Sequence, residues 1–155
     1  MTTIAPENAN WPTIREAERA DLLAIYRIEQ ASFEQPWPFA AFETYLGEPG
    51  FLVAEDSDVV GYVVADTIPS HGQDLGHIKD LAVHESRRGE GIGTLLLTRA
   101  LAILETEGVR STKLEVRESN ESARSLYETH DFEHRRTIPG YYSDGEDALV
   151  LVRGL

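Results

Sequence analysis

Cysteine is absent from this 155-residue chain, which removes disulfides, thiolate nucleophiles and cysteine metal sites together. Any chemistry must use oxygen and nitrogen groups. Lysine is scarce too: Lys79 and Lys113 stand with 12 arginines against 27 acids, for a formal net charge of -13. Nucleic-acid binding needs a basic surface, so this balance argues against such a partner. Two readings of the acidity stay open. A lysine-poor acidic surface suits a salty cytoplasm, where screening relieves self-repulsion, and it also attracts cationic partners such as basic peptides. Long apolar runs are missing: none approaches the roughly 20 residues of a membrane span, and the amino terminus does not read as a basic then apolar signal. A soluble cytoplasmic protein without a membrane partner is expected.

What is present reads as one domain with a single core. Residues 1–10 lack periodicity and are expected as a loose tail ahead of a domain over 11–155. A short strand over 12–16 precedes a helix over 18–31, where Leu22, Ile25 and Tyr26 recur at helical spacing. "QPWPFAAFETYLGEPG" brings a proline-bounded turn and a short helix carrying Phe39, Phe42 and Leu46. Residues 51–55 and 59–66 read as a hairpin around "DSD", and "GHIKDLAVH" as a further strand. Ile92, Leu95, Leu96, Ala100, Ile103 and Leu104 then make a helical stripe that stops at Gly108. A strand over 112–118, a helix over 120–130 and strands over 132–138 and 148–152 complete the chain. The expected fold class is α/β, a mixed sheet with helices packed on it. The five histidines, His71, His77, His84, His130 and His134, lack a metal-ligand spacing, so no metal is expected.

One stretch stands out against the acidic background: "ESRRGEGIGTLLL", residues 85–97. Alternating Gly89, Gly91 and Gly93 admit a close approach to the backbone, and N–H groups entering a helix can converge on an anion. The nucleotide-hydrolase phosphate loop ends in Gly-Lys-Ser/Thr, whereas Gly93 is followed by Thr94 and Leu95. A dinucleotide fingerprint needs its last two glycines three apart; here they are two apart. A glycine-rich turn that merely starts a helix is the plain alternative.

"RRGEGIG" after a strand ending "LAV" resembles the acetyl-coenzyme A loop of the GCN5-related N-acetyltransferase (GNAT) superfamily. "SFEQPWPFAAF", "LEVRESNESARSLYETHDF" and "GYYSDGEDALVL" resemble, in the same order, segments of its ribosomal-protein alanine acetyltransferase (RimI) branch. The resemblance implies a single-domain GNAT fold, with a mostly antiparallel mixed sheet of six or seven strands and four flanking helices. It also implies acetyl-coenzyme A as cosubstrate and a protein or peptide N-terminus, such as that of a ribosomal protein, as partner. Contacts to the coenzyme are then expected from the backbone of Leu81, Ala82 and Val83, from Arg88, Gly89, Glu90, Gly91, Ile92, Gly93 and Thr94, and from Asn120 and Tyr127. His130 and Asp131 stand where the family commonly has Leu-Gly, and Asp131 is expected to take the left-handed conformation.

Acetyl transfer to an amine needs a base for the ammonium proton and an acid for the departing thiolate. Strand alternation puts Lys113, Glu115 and Arg117 on the face opposite Leu114 and Val116. On that face Glu115 is either a surface carboxylate paired with Lys113 or Arg117, or, as the resemblance implies, the general base. Tyr127 is a half-buried core tyrosine by type and the general acid by family position. The resemblance implies Trp37, Pro38, Glu29, Tyr141 and Tyr142 as walls of the peptide site; read from the residues alone, Glu29, on an acid-rich helix, is expected to be solvated, and Tyr141 and Tyr142 equally fit ordinary strand-end aromatics. An α-amine, with pKa about 7.7 to 8.0 against about 10.4 for lysine, loses its proton more easily by roughly 3.5 kcal/mol. Alternatives are a GNAT enzyme acting on lysine side chains or small amines, and a non-catalytic coenzyme A-binding domain.

Overall fold

The computed structural model describes residues 11–154, so the expected tail over 1–10 lies outside the described residues. The elements run β1 (Thr13–Glu16), α1 (Leu22–Ser32), α2 (Phe39–Glu43), β2 (Phe51–Asp56), β3 (Asp58–Ile68), β4 (Leu75–Val83), α3 (Ile92–Thr106), β5 (Ser111–Arg117), α4 (Glu121–Thr129), β6 (Glu133–Ile138) and β7 (Ala148–Gly154). Seven strands form one sheet in the order β1-β2-β3-β4-β5-β7-β6. This is the expected mixed sheet with four helices. The chain divides into two compact units: residues through Val64 with Asp80–Ala100, and Ala65–Lys79 with Leu101 onward.

In the first unit β2 pairs antiparallel with both β1 and β3. The "DSD" turn closes on Ser57, which takes a positive φ of 66°. Leu22, Ile25 and Ile28 of α1 are buried at helical spacing against Phe42, Phe51, Val53 and Tyr62. The aromatic members touch through their rings, with centroids 5.7 Å apart for Phe42 and Tyr62 and 6.3 Å apart for Phe42 and Phe51. Ahead of α1, Arg15 grips both oxygens of the buried Asp21 at 2.8 and 2.9 Å, and Asp21 also accepts the Glu18 N–H at 2.8 Å. The Arg15 hydrogen bonds hold the Asp21 carboxyl below its ordinary range.

In the second unit β4 and β5 run parallel, with Gly76 opposite Thr112 and His77 opposite Lys113. A Cβ at Gly76 would lie 2.5 Å from Thr112 Oγ1 and 2.9 Å from Leu104 Cδ1, so only glycine lets these elements approach so closely. On β5, Thr112, Leu114 and Val116 are buried and the alternate residues half-buried, as the alternation predicted. β7 lies between β5 and β6 and contributes the buried run Ala148–Leu151. Asn120 caps α4, its side chain accepting the Ala123 N–H at 3.2 Å. Asp131 adopts φ 68° after α4, as expected, and the following Phe132 N–H bonds to Tyr127 O at 3.1 Å. β6 ends the sheet as an almost wholly exposed strand, with a register shift between His134 and Arg136.

Candidate active site

The stretch between β4 and α3 is built as an anion-binding turn. Gly89 and Gly91 have φ of 80° and 93°, values that disfavour any side chain, and open space surrounds the position of a Cβ at each. α3 begins at Ile92, so the N–H groups of its first turn, including those of Gly93 and Thr94, lack acceptors within the helix. Arg88 is braced on neutral oxygens, donating to Val83 O at 2.9 Å and Ser32 Oγ at 3.0 Å. Arg87 instead spends its charge on Glu90 at 2.9 Å and Asp56 at 3.0 Å. These features suit a pyrophosphate: Arg88 keeps its cationic character beside an open, amide-rich turn. The main chain leading into the turn is partly engaged, since Leu81 N–H donates to Asp80 Oδ1 at 3.0 Å and Ala82 is buried.

On the second unit's strands a different chemistry assembles. Glu115 Oε1 lies 2.8 Å from His77 Nε2, and its Oε2 accepts from Lys113 Nζ at 2.9 Å. The β4–β5 register puts all three side chains on one face. His77 above all, and Lys113 with it, hold the Glu115 carboxyl down at about 2, against burial that pushes it up. A carboxylate held so low only accepts hydrogen bonds, so His77 Nε2 carries the proton. The other ring nitrogen, Nδ1, is closed to solvent and has no hydrogen-bond partner. Sequence reading placed Glu115 on this face but missed His77, whose partner lies 38 residues away. The available signal was the period-two alternation that sets His77 and Lys79 on the face opposite Ile78.

The other expected residues fall in several places. Tyr127 is buried on α4, its ring edge-on to Phe132 at 5.7 Å. Tyr141 is 51% exposed and meets the half-buried Tyr142 at 5.0 Å. Arg117 lies 4.1 Å over the Tyr142 ring and pairs with Asp144 and Glu146. Burial first, then Tyr141, pushes the Tyr142 phenol up to about 12, and the Glu115 carboxylate adds to the rise. Pro38 leads into α2, and Trp37 packs on Phe42 and Tyr45 at 5.2 and 5.8 Å. Glu29 corrects its expectation: it is 2% exposed, because its carboxylate accepts the Trp37 N–H and the Tyr62 hydroxyl inside the core.

Comparison with known proteins settles the family. The model of the acetyltransferase (GNAT) family matches residues 22–132. The chain belongs to that family. This GNAT chain is 33% identical to an N-alpha-acetyltransferase of Saccharolobus solfataricus over 92% of its own length and 93% of that protein. It superimposes on Ard1 from Thermoplasma volcanium with a TM-score of 0.85 at 29% identity, covering 92% of this chain and 97% of the other. The ribosomal-protein-S18-alanine N-acetyltransferase of Escherichia coli gives a TM-score of 0.77 at 30% identity, with 92% of each chain covered.

Proposed function

We propose that this GNAT enzyme transfers the acetyl group of acetyl-coenzyme A to the α-amine of a protein N-terminus, such as that of a ribosomal protein. The observation that carries this reading is the Glu115 carboxylate, held between His77 and Lys113 on one strand face. Acetyl-coenzyme A supplies the activated acetyl thioester. Arg88, the turn over residues 89–91 and the first amides of α3, Ile92 to Thr94, hold its pyrophosphate, and β4 from Leu81 to Val83 lines the pantetheine path. Asn120 and Tyr127 add contacts from α4.

Glu115 takes the proton that the attacking ammonium must lose, through a bridging water, while His77 and Lys113 fix its carboxylate. A carboxylate held at about 2 is a weak base towards an amine of pKa about 7.7 to 8.0, so the proton leaves as the nitrogen attacks and becomes more acidic. Tyr127 returns a proton to the departing thiolate, a donor near ~10 facing an acceptor near ~8.5. Trp37, Pro38, Tyr141 and Tyr142 contact the acceptor peptide. The names of the similar proteins, an N-alpha-acetyltransferase and an S18-alanine N-acetyltransferase, support the α-amine over a lysine side chain. Incubating the protein with acetyl-coenzyme A and a mixed peptide library, then mapping acetyl groups by mass spectrometry, tests it. Acetyl groups on N-terminal amines are expected; acetylation confined to lysine side chains would overturn the assignment.

A further inference from the structure

The turn before α3 carries a charge of the wrong sign for an anion. Glu90 lies between Gly89 and Gly91, the residues whose positive φ opens the turn, and its side chain is 47% exposed. A carboxylate one residue from that opening repels a phosphate, and the negative field of a chain with net charge -13 gives the anion no help from further away. Something nearby must cancel it. Arg87 does so directly: its Nε donates to Glu90 Oε1 at 2.9 Å, and its Nη1 donates to Asp56 Oδ2 at 3.0 Å. One guanidinium therefore joins a carboxylate of the turn to one at the end of β2.

Both ends of this bridge are fixed. Asp56 is paired with Asp58 across the tight end of the β2–β3 hairpin, where Ser57 takes its positive φ, so the outer carboxylate stands on a short support. On the inner side the Arg87 N–H donates to His84 O at 2.9 Å, the Ser86 N–H donates to His84 Nδ1 at 3.1 Å, and the His84 N–H donates to Val60 O at 2.8 Å. The main chain that carries Arg87 is thereby tied to β3. Although it leaves a surface turn, the Arg87 side chain is only 19% exposed. The two neighbouring arginines differ in what they meet: Arg88 donates to the neutral Val83 O and Ser32 Oγ, whereas Arg87 meets carboxylates.

We propose that Arg87 is a positioning residue that neutralises Glu90 and draws it towards the β2–β3 hairpin, so that the turn presents amides and Arg88, and no bare carboxylate, to the coenzyme pyrophosphate. Resting on the assignment of this turn to the pyrophosphate, the role is exercised through Glu90 and needs no contact between Arg87 and the coenzyme. Without Arg87, Glu90 stands uncompensated beside the anion. Without both charges, the turn is neutral again and its amides are free to bind.

Calorimetric titration of coenzyme A into wild type, Arg87→Met, Arg87→Lys and the double variant Arg87→Met with Glu90→Gln tests this. Arg87→Met should loosen coenzyme A about ten-fold, and adding Glu90→Gln should restore the affinity to within about three-fold of wild type. Arg87→Lys, a point charge without the planar fork that reaches two carboxylates, should fall between wild type and Arg87→Met. A merely structural role gives no such recovery, because the second substitution restores no contact. Donor kinetics add a second readout with a peptide that wild type acetylates: the kcat/KM loss of Arg87→Met should shrink from about ten-fold with acetyl-coenzyme A to within about two-fold with S-acetylpantetheine, which lacks the pyrophosphate. Unchanged coenzyme A affinity in Arg87→Met, a double variant no tighter than Arg87→Met, or an equal loss with both donors overturns the proposal and leaves the pyrophosphate site standing. Failure of wild type to bind coenzyme A overturns the site and the proposal together. Should Arg87→Met not fold, Arg87→Lys with and without Glu90→Gln carries the same outcomes.

Discussion

At Glu115, a carboxyl with an ordinary value of 4.5 is held at about 2 by His77 and Lys113, so it stays ionised wherever a protein amine is acetylated. Its titration therefore contributes no limb to a rate profile above about pH 4. Glu115→Gln should lower kcat on the order of 10²-fold by about the same factor from pH 6 to 9, measured by thiol release from acetyl-coenzyme A. A shifted pH limb instead of a uniform loss would remove Glu115 from the role of proton acceptor. The same lowered value has a stability consequence. Its contribution is present above pH 4.5 and is lost as pH falls towards 2, so acid melting of Glu115→Gln should be flatter than wild type in that window. The sequence made the exposed face of Glu115 readable through period-two alternation. His77 and Glu29 were not readable, because what defines them comes from afar: Glu115 is 38 residues from His77, and Tyr62 is 33 residues from Glu29. Local charge around Glu29 pointed to solvent, and only the packing of β3 and the Trp37 turn over α1 reversed it.

The elements themselves were legible wherever a period or a punctuating residue marked them. The apolar stripe of α3 and the "DSD" hairpin appear where spacing and residue type put them. Most element ends moved by a residue or two, since caps and sheet pairing decide where hydrogen bonding stops, but α1 begins at Leu22 and not at residue 18, and Leu46 lies beyond the end of α2 at Glu43. The two arginines of the turn part company at this scale: Arg87 pairs with Asp56, brought in by the β2–β3 hairpin, and with Glu90. The turn before α3 should be sensitive at its backbone. Gly91→Val forces a β-branched residue to φ 93° and fills the open approach. The acetyl-coenzyme A KM should rise by about ten-fold or more, with the acceptor KM little changed, by two-substrate kinetics. Asn120→Ala removes the α4 cap and should cost about 1 kcal/mol in chemical denaturation. An equal loss from Ser122→Ala, whose hydroxyl lies 3.5 Å from the Asn120 oxygen, would mean that the cap is not what the measurement reads.

For the whole molecule the dominant fact is a net charge of -13 on 155 residues. Such a charge repels itself, and at about 0.1 M salt the Debye length of ~10 Å leaves much of that repulsion in place. Thermal melting should therefore rise between about 0.1 M and about 2 M sodium chloride; a constant or falling Tm would favour the reading in which acidity recruits cationic peptides. The buried Arg15–Asp21 fork should be nearly indifferent to this screening, whereas exposed pairs such as Arg19–Glu43 weaken. Salt has a second effect, because the charge it screens is also what keeps copies of the molecule apart. In brine, resistance to clumping passes to the sheet margin, and there β6 matters. Its sequence, Glu133 to Ile138, sets His134, Arg135 and Arg136 on an exposed rim whose register is broken midway. A rim so irregular and so charged gives a neighbouring chain no continuous line of amides to join, so colloidal stability at high ionic strength rests on the six residues of this edge strand.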